Sequence, residues 1–377
     1  MDLNIDRLNW TKVRLGEVVE WYQKDIPNEL QSEKNIEYYI TASEIDGDEV
    51  SITRYKELSD GQKGPTITKH FEKGDLLLST RSVALRKAAI APVSGVTGEK
   101  LLVLRCVEGG RLDPKLMPFV FQSAHFWHYA QNSASGSVNK FTSWTKLAKY
   151  EFLLPPKDQQ AELAELLWAN DAYVESNRSM LMKNETLLLT YSKFLFSEGT
   201  GTPRSLSNIG ELLMGQSPSG STINENEDGL PFLQGNAEFG DKYPTTKKYT
   251  TAPKKIVPSD SILISVRAPV GDLNIADKEY CIGRGLAGLY IEDPVLRNYI
   301  YHFLKYARLQ LERNSTGSTF KAINKATLSE LKCFIPDRIN LINNSNQLNQ
   351  ITKVRDNQKH ILKTTQELIK SLINQIF

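Results

Sequence analysis

This chain is written twice, and the repeat restricts its fold more than any single motif does. "KGDLLLSTR" at 73–81 resembles "PSDSILISVR" at 258–267; both are short apolar runs that close on Ser-x-Arg, at Ser79/Arg81 and Ser265/Arg267. "SGSVNKFTSWTKLAKYEFLLPP" at 135–156 matches "TGSTFKAINKATLSELKCFIP" at 316–336. There Gly136-Ser137 falls on Gly317-Ser318, Lys140 on Lys321, Leu147 on Leu328 and Pro155 on Pro336. Nearer the start, Leu15-Gly16-Glu17 aligns with Ile209-Gly210-Glu211. The matches keep their order while the offset shrinks, as expected of one fold repeated with loops of different length.

After each copy comes a segment of about 40 residues, 157–197 and 337–377, with no interior Pro or Gly to interrupt a helix. The first repeats every seven residues. Leu163, Asn170, Asn177, Asn184 and Tyr191 share one position, and Leu167, Val174, Leu181, Leu188 and Leu195 share the position four later. The second carries Leu348, Ile351, Leu362, Ile369, Leu372 and Ile376 on a similar stripe, weakened by Arg355 and Gln358. At ~1.5 Å per residue such helices are about 60 Å long, more than a small domain can cover. Asn170, Asn177 and Asn184 suit a coiled-coil seam, where a buried amide fixes register and partner. Residues 157–198 hold four bases against seven acids, and 337–377 hold six bases against three acids. That balance favours the two helices pairing with each other over self-pairing. "GTGTPRS" at 199–205 reads as a helix stop and linker.

The resulting class is α+β: a mixed α/β unit at 1–156, a helix at 157–198, a second unit at 199–336 and a helix at 337–377. Strands are expected at 75–79, 100–105, 261–266 and 286–291, and amphipathic helices at 114–133 and 294–314. The 377 residues carry a net charge of only +2, so any polyanion partner needs a local basic surface. Cys106, Cys281 and Cys333 are widely spaced. That speaks against a disulfide scaffold or zinc site. With no signal peptide and no membrane-spanning run, the expected location is the cytoplasm.

Motifs for chemistry fail one by one. "GQSPSGST" at 215–222 places Gly215, Gly220 and Thr222 at phosphate-loop spacing, but Ser221 stands where the lysine belongs. The acidic "NENEDG" that follows would repel phosphate. His125 and His128 lack the glutamate of H-E-x-x-H and read as packing residues beside Phe126, Trp127 and Tyr129. "ELK" at 330–332 has no upstream Pro-Asp, and its repeat partner is "KYE" at 149–151. No Asn/Asp-Pro-Pro-aromatic motif is present. No catalytic or metal site is expected.

What remains is a reading surface. "STRSVALRK" supplies Arg81, Arg86 and Lys87, preceded by Ser79; the second copy supplies Ser265 and Arg267. "GDKYPTTKKYTTAPKK" at 240–255 includes Lys247 and Lys248, interleaved with Tyr243 and Tyr249. The Gly-Ser loops end on Lys140 and Lys321. Lys and Arg neutralise phosphates, and Asn, Gln and Arg pair with base edges.

Over its whole length the chain resembles the specificity subunit of type I restriction-modification enzymes. The resemblance rests on "LGEVVEW", on "IGELLMGQSPSG" followed by "GLPFLQGNAEF", on the paired Gly-Ser to Pro endings and on the long helix after each. It implies that the glycine loop, with Gln216, opens a DNA-reading domain; the first copy lacks this loop. It further implies two pseudo-two-fold related target recognition domains on an antiparallel coiled coil, each reading half of a bipartite duplex DNA target. The implied partners are two DNA methyltransferase subunits and restriction/motor subunits. S-adenosylmethionine, ATP and Mg would be bound by those partners, and no cofactor by this chain. A related methylation or phage-defence system, or a coiled-coil scaffold without DNA binding, stays open as an alternative.

Overall fold

The computed structural model describes residues 7–32, 34–61, 63–137, 140–197, 201–313 and 322–377. Two compact units emerge, Met1–Arg178 with His360–Phe377, and Ser179–Lys359. Packing therefore divides the chain inside the long helices rather than at their ends.

The strands of the first unit are β1 (Thr11–Arg14), β2 (Val19–Tyr22), β3 (Tyr38–Ile40), β4 (Lys56–Glu57), β5 (Ile67–Phe71), β6 (Leu76–Ser79), β7 (Ala88–Ile90), β8 (Gly95–Gly98), β9 (Leu101–Cys106) and β10 (Glu151–Leu154). They form a β1-β10 pair and two four-stranded sheets, ordered β2-β9-β6-β7 and β4-β3-β8-β5. The second unit has β11 (Thr202–Ser205), β12 (Glu211–Met214), β13 (Ile223–Asn224), β14 (Leu230–Leu233), β15 (Tyr249–Thr250), β16 (Ile256–Val257), β17 (Ile262–Ser265), β18 (Leu273–Ile275), β19 (Tyr280–Ile282), β20 (Leu286–Tyr290) and β21 (Lys332–Ile335). Its sheets are β11-β21, β12-β20-β17-β18 and β13-β15-β14-β19-β16. Apart from the extra β13, the orders correspond strand for strand. Even the parallel pair recurs, as β3-β8 and β14-β19.

Strand alternation explains why the central runs are apolar throughout. Leu76 and Leu78 of β6 face one core, and Leu77 faces another across the sheet. Ile262 and Ile264 of β17 likewise face one core while Leu263 faces the second. A strand buried on both faces admits no polar position, so "LLLS" and "ILIS" stay apolar until the serine.

Backbone register corrects one alignment. Thr11 lies opposite Leu154, and Thr202 opposite Ile335. Leu15 N–H then donates to the Tyr150 carbonyl at 2.8 Å, as Leu206 N–H does to Leu331 at 3.0 Å. Leu15 thus corresponds to Leu206, and Glu20, not Glu17, to Glu211. The Leu-Gly-Glu and Ile-Gly-Glu tripeptides are three residues out of structural register. Buried Leu15 and Leu206, both 0% exposed, mark the true equivalence.

The long helices are Lys157–Ser197 and Arg338–Ile376. Within the first unit, Ala164 and Leu167 share a core with Ile369, Ile373 and Ile376. Within the second, Leu195 and Phe196 share one with Leu341 and Leu348, and Tyr191 Oη lies 3.2 Å from Asn344 Oδ1. In each unit an early segment of one helix meets a late segment of the other or the reverse, which is antiparallel pairing. Leu167, Val174, Asn177 and Leu195 are buried, and Leu163, Asn170, Leu181, Asn184, Leu188 and Tyr191 are half-buried, so the seven-residue seam is the packed face. Asn170 and Asn177 donate to the carbonyls four residues back, Leu166 and Tyr173, at 2.8 and 2.9 Å. Lys359 and Glu185 form an inter-helix ion pair at 3.7 Å within the second unit.

Three local expectations change. Residues 114–133 hold two helices, Met117–Val120 and Ala124–Ser133, because Ser123 caps the second by accepting from Phe126 N–H at 3.2 Å. Residues 294–313 form a single helix as expected. Thr202–Ser205, read as linker, is a strand whose structure comes from pairing with Lys332–Ile335. His125 and His128 are exposed, since Phe126, Trp127 and Ala130 occupy the buried face.

Candidate nucleic-acid interface

The Ser-x-Arg loops have one architecture in both units. Ser79 is 3% exposed, and its hydroxyl donates to the Arg81 carbonyl at 3.1 Å. Thr80 N–H donates to Lys100 O at 2.9 Å, and the Thr80 carbonyl accepts from Thr142 N–H at 2.8 Å. In the second unit Ser265 is 1% exposed, and its hydroxyl lies 2.8 Å from the carbonyls of both Arg267 and Pro269. Val266 N–H donates to Gly285 O at 2.9 Å, and Ile323 N–H to Val266 O at 3.0 Å. Arg81 bridges to Phe141, and Arg267 to Ala322. The serine hydroxyls therefore brace their loops, and Ser265 also borders the cleft beside Arg267. The arginine side chains are exposed.

Each arginine lines a cleft at the same end of its sheets. In the first unit a cleft of about 770 Å³ is bordered by Thr41, Ser43, Thr80, Arg81, Glu99, Lys100 and Phe141. In the second, one of about 190 Å³ is bordered by Gln234, Gly235, Asn236, Arg267, Arg284 and Gly285. The positions correspond: Ile40 pairs with Thr97 as Leu233 pairs with Ile282, and Ser79 with Leu101 as Ser265 with Leu286. Thr41 thus matches Gln234, Ser43 matches Asn236, Glu99 matches Arg284, and Lys100 matches Gly285. Among the described residues, Arg81, Lys100, Arg267 and Arg284 make no ion pair. An exposed guanidinium without an internal carboxylate is available to an external phosphate or base edge.

The glycine loop runs against the turn that carries Arg284. Gly215 N–H donates to Leu286 O and Gln216 N–H to Ile282 O, each at 2.9 Å. A Cβ on Gly215 would stand 2.1 Å from the Gly283 oxygen, so only glycine fits. Gln216 is exposed beside this turn, and Ser217 Oγ accepts from Arg284 N–H at 3.4 Å. Because the N–H groups of Gly215, Gln216 and Thr222 already have carbonyl partners, the loop is no phosphate cradle.

Other expected contacts are not brought to the clefts. Arg86 is half-buried, paired with Asp48 at 2.9 Å, and donates to Gln122 O at 3.0 Å. Lys87 Nζ donates to the Ala42 carbonyl at 2.6 Å. Both serve the first unit's own packing. Lys247 is exposed and Lys248 half-buried, next to β15 and outside the cleft lining. Lys140 is exposed directly before Phe141. Lys321, with Gly317 and Ser318, lies outside the described residues. Lys100, Arg284, Gln234 and Asn236 escaped the sequence reading. Extending the repeat through Gly98 and Gly283 would have found the first two.

Among the described residues, no group of three or more His, Cys, Asp or Glu could hold a metal ion. Nor is any described helix long and apolar enough to cross a membrane.

Comparison with known proteins gives one answer for both halves. The family model described as the type I restriction modification DNA specificity domain matches residues 7–181 and again 200–376. A Methanocaldococcus jannaschii protein, provisionally named the MjaX type I restriction enzyme specificity subunit, is 30% identical over 370 residues, covering 87% of this chain and 86% of that one. A solved structure concerned with complex assembly and conformational transition of the type I R-M system aligns with TM-score 0.63 and 25% identity, covering 97% of each chain. The type I restriction-modification S subunit from M. genitalium shares the fold, with TM-score 0.66 and 16% identity over 100% of this chain and 98% of that one. With the domain model matched in each half and the fold shared end to end, the chain belongs to the type I restriction-modification specificity subunit family and carries two DNA specificity domains.

Proposed function

We propose that each unit reads one half of a bipartite duplex DNA target, with Arg81 and Arg267 as matched phosphate anchors. The observation that carries this is the recurrence, at the same sheet end in both units, of one braced, exposed arginine with no ion pair among the described residues. A contact shared by two otherwise different reading surfaces suits the part of DNA that is the same everywhere, its backbone. Lys140 and Lys321 would extend this anchoring, and Gln216 would contribute beside Arg284. In this reading the chain recognises DNA in the cytoplasm, while partner subunits methylate and cleave. S-adenosylmethionine, ATP and Mg are then held by two methyltransferase subunits and by restriction/motor subunits.

The long helices would set the spacing of the two half-sites and dock the methyltransferase subunits, and the first helix supports this. Leu166, Tyr173, Met180, Leu187 and Phe194, spaced by seven, are 41%, 54%, 52%, 52% and 58% exposed. They lie one residue before the seam positions and are open to an apolar partner surface.

The test is salt-dependent binding of duplex target DNA by the wild type, Arg81→Ala and Arg267→Ala. Each variant should weaken binding to all sequences alike and lower the salt slope by about 1. Wild-type affinity and slope in both variants would refute the anchoring role.

A further inference from the structure

We infer that Glu99 and Arg284, one position carrying opposite charge in the two units, are base-reading residues: Glu99 for a cytosine and Arg284 for a guanine. This rests on the DNA-reading assignment above and adds which residues discriminate.

The equivalence comes from backbone register. Lys100 lies three residues after the strand pair at Thr97, and Gly285 three after Ile282. Lys100 O and Gly285 O accept from Thr80 N–H and Val266 N–H at the same distance, 2.9 Å. Gly98 and Gly283 precede Glu99 and Arg284, whose side chains are both exposed and line the two clefts. Among the described residues neither side chain has an ion-pair or hydrogen-bond partner. The frame around them is shared, down to the serine brace and the exposed arginine. The charge at this one position is inverted.

A phosphate contact cannot explain both residues. Glu99 shares its cleft with Arg81 and Lys100; those cations can hold a phosphate, but the Glu99 carboxylate cannot. A carboxylate facing DNA needs a donor. The major groove offers one without a competing acceptor on the same base, the cytosine N4 amino group; adenine N6 sits beside the acceptor N7. The guanidinium fork of Arg284 matches the two acceptors of guanine, O6 and N7. Thr41 and Ser43 beside Glu99, and Gln234 and Asn236 beside Arg284, supply further polar groups that differ between the copies.

The experiment selects random duplex DNA with the purified full-length chain, alone and with its methyltransferase subunits, for the wild type, Arg284→Ala, Arg284→Glu and Glu99→Gln. Wild-type enrichment of a two-part sequence is the control for the DNA-reading assignment; its absence would remove that assignment itself. Given that control, Arg284→Ala should lose preference for one G·C pair in one half only, by roughly 5- to 150-fold, equivalent to about 1–3 kcal/mol. Arg284→Glu should turn that position from guanine towards cytosine on the same strand. Glu99→Gln should relax one position in the other half. Unchanged base preferences in all three variants, or weakening uniform across sequences, would overturn the inference. A gained preference in Arg284→Glu cannot arise from misfolding.

Discussion

Asp171 offers a sharp test of how the first unit holds its helices. It lines a cavity of about 220 Å³ with Asp48, Glu49 and Lys370. Arg178 grips Glu49 at 2.6 and 3.2 Å and Glu175 at 2.5 Å, and Lys370 pairs with Asp48 at 3.1 Å. Asp171 is left among acids. Burial, then Glu175 and Glu49, push its carboxyl up from 3.8 to about 6, against the opposing pull of Arg178. A carboxyl whose folded pKa exceeds its unfolded value binds its proton more tightly when folded. The unit therefore carries a penalty above pH 6 that fades as pH falls towards 3.8. At 1.36 kcal/mol per pH unit the gap is worth about 3 kcal/mol. Solvent reaching this half-buried site reduces it to about 1–2 kcal/mol. Asp171→Asn should raise the melting temperature by about 2–8 °C at pH 7.5, and the gain should vanish near pH 4. Tryptophan fluorescence is the assay, since all five tryptophans, Trp10, Trp21, Trp127, Trp144 and Trp168, belong to the first unit. A variant that melts below wild type at pH 7.5, or whose advantage persists unchanged at pH 4, would show that Asp171 is not the strained group.

Ser265→Ala removes a buried hydroxyl 2.8 Å from two loop carbonyls, those of Arg267 and Pro269. It should cost about 1–2 kcal/mol by calorimetry and weaken DNA binding although Arg267 is intact. Gly215→Ala would place a methyl 2.1 Å from Gly283 O and 2.8 Å from Leu286 O. It should blur the half-site read by the second unit in DNA selection, while the first unit's tryptophan melting curve stays put.

The repeat, the long helices and the Ser-x-Arg loops were legible because each is a pattern in order and spacing. The serines carried a clear signal, and their hydroxyls are engaged within their own loops. A hydroxyl closing an apolar strand looks available in sequence, yet strand geometry turns Ser79 and Ser265 inward onto the loop backbone. Arg86 and Lys87 are placed by a related effect. Partners 36 to 45 residues away in sequence, Gln122, Asp48 and Ala42, capture them, and such contacts have no local signature. The Leu-Gly-Glu register slipped because two matching letters and a similar third outweighed the one buried leucine that fixes the strand's end. Arg284 and Lys100 went unseen because one copy has Glu-Lys where the other has Arg-Gly. A difference between copies shows only once the flanking Gly98 and Gly283 are aligned, and it is where two unlike half-sites can be told apart.

The division of the chain also sets an order of events during synthesis. Residues 179–359 are contiguous and contain everything their own core needs. The first unit is interrupted by them: Ile369, Ile373, Ile376 and Phe377 fill a core begun by Trp10 and Val13. A ribosome makes the first unit's sheets well before those four residues. Until they emerge, the apolar surface around Leu167 and Phe152 has no cover, and closing it spans a gap of about 180 residues. The second unit is thus a nested insertion that can mature while its host waits. Chaperone dependence and nascent-chain aggregation should concentrate in the half of the protein translated first.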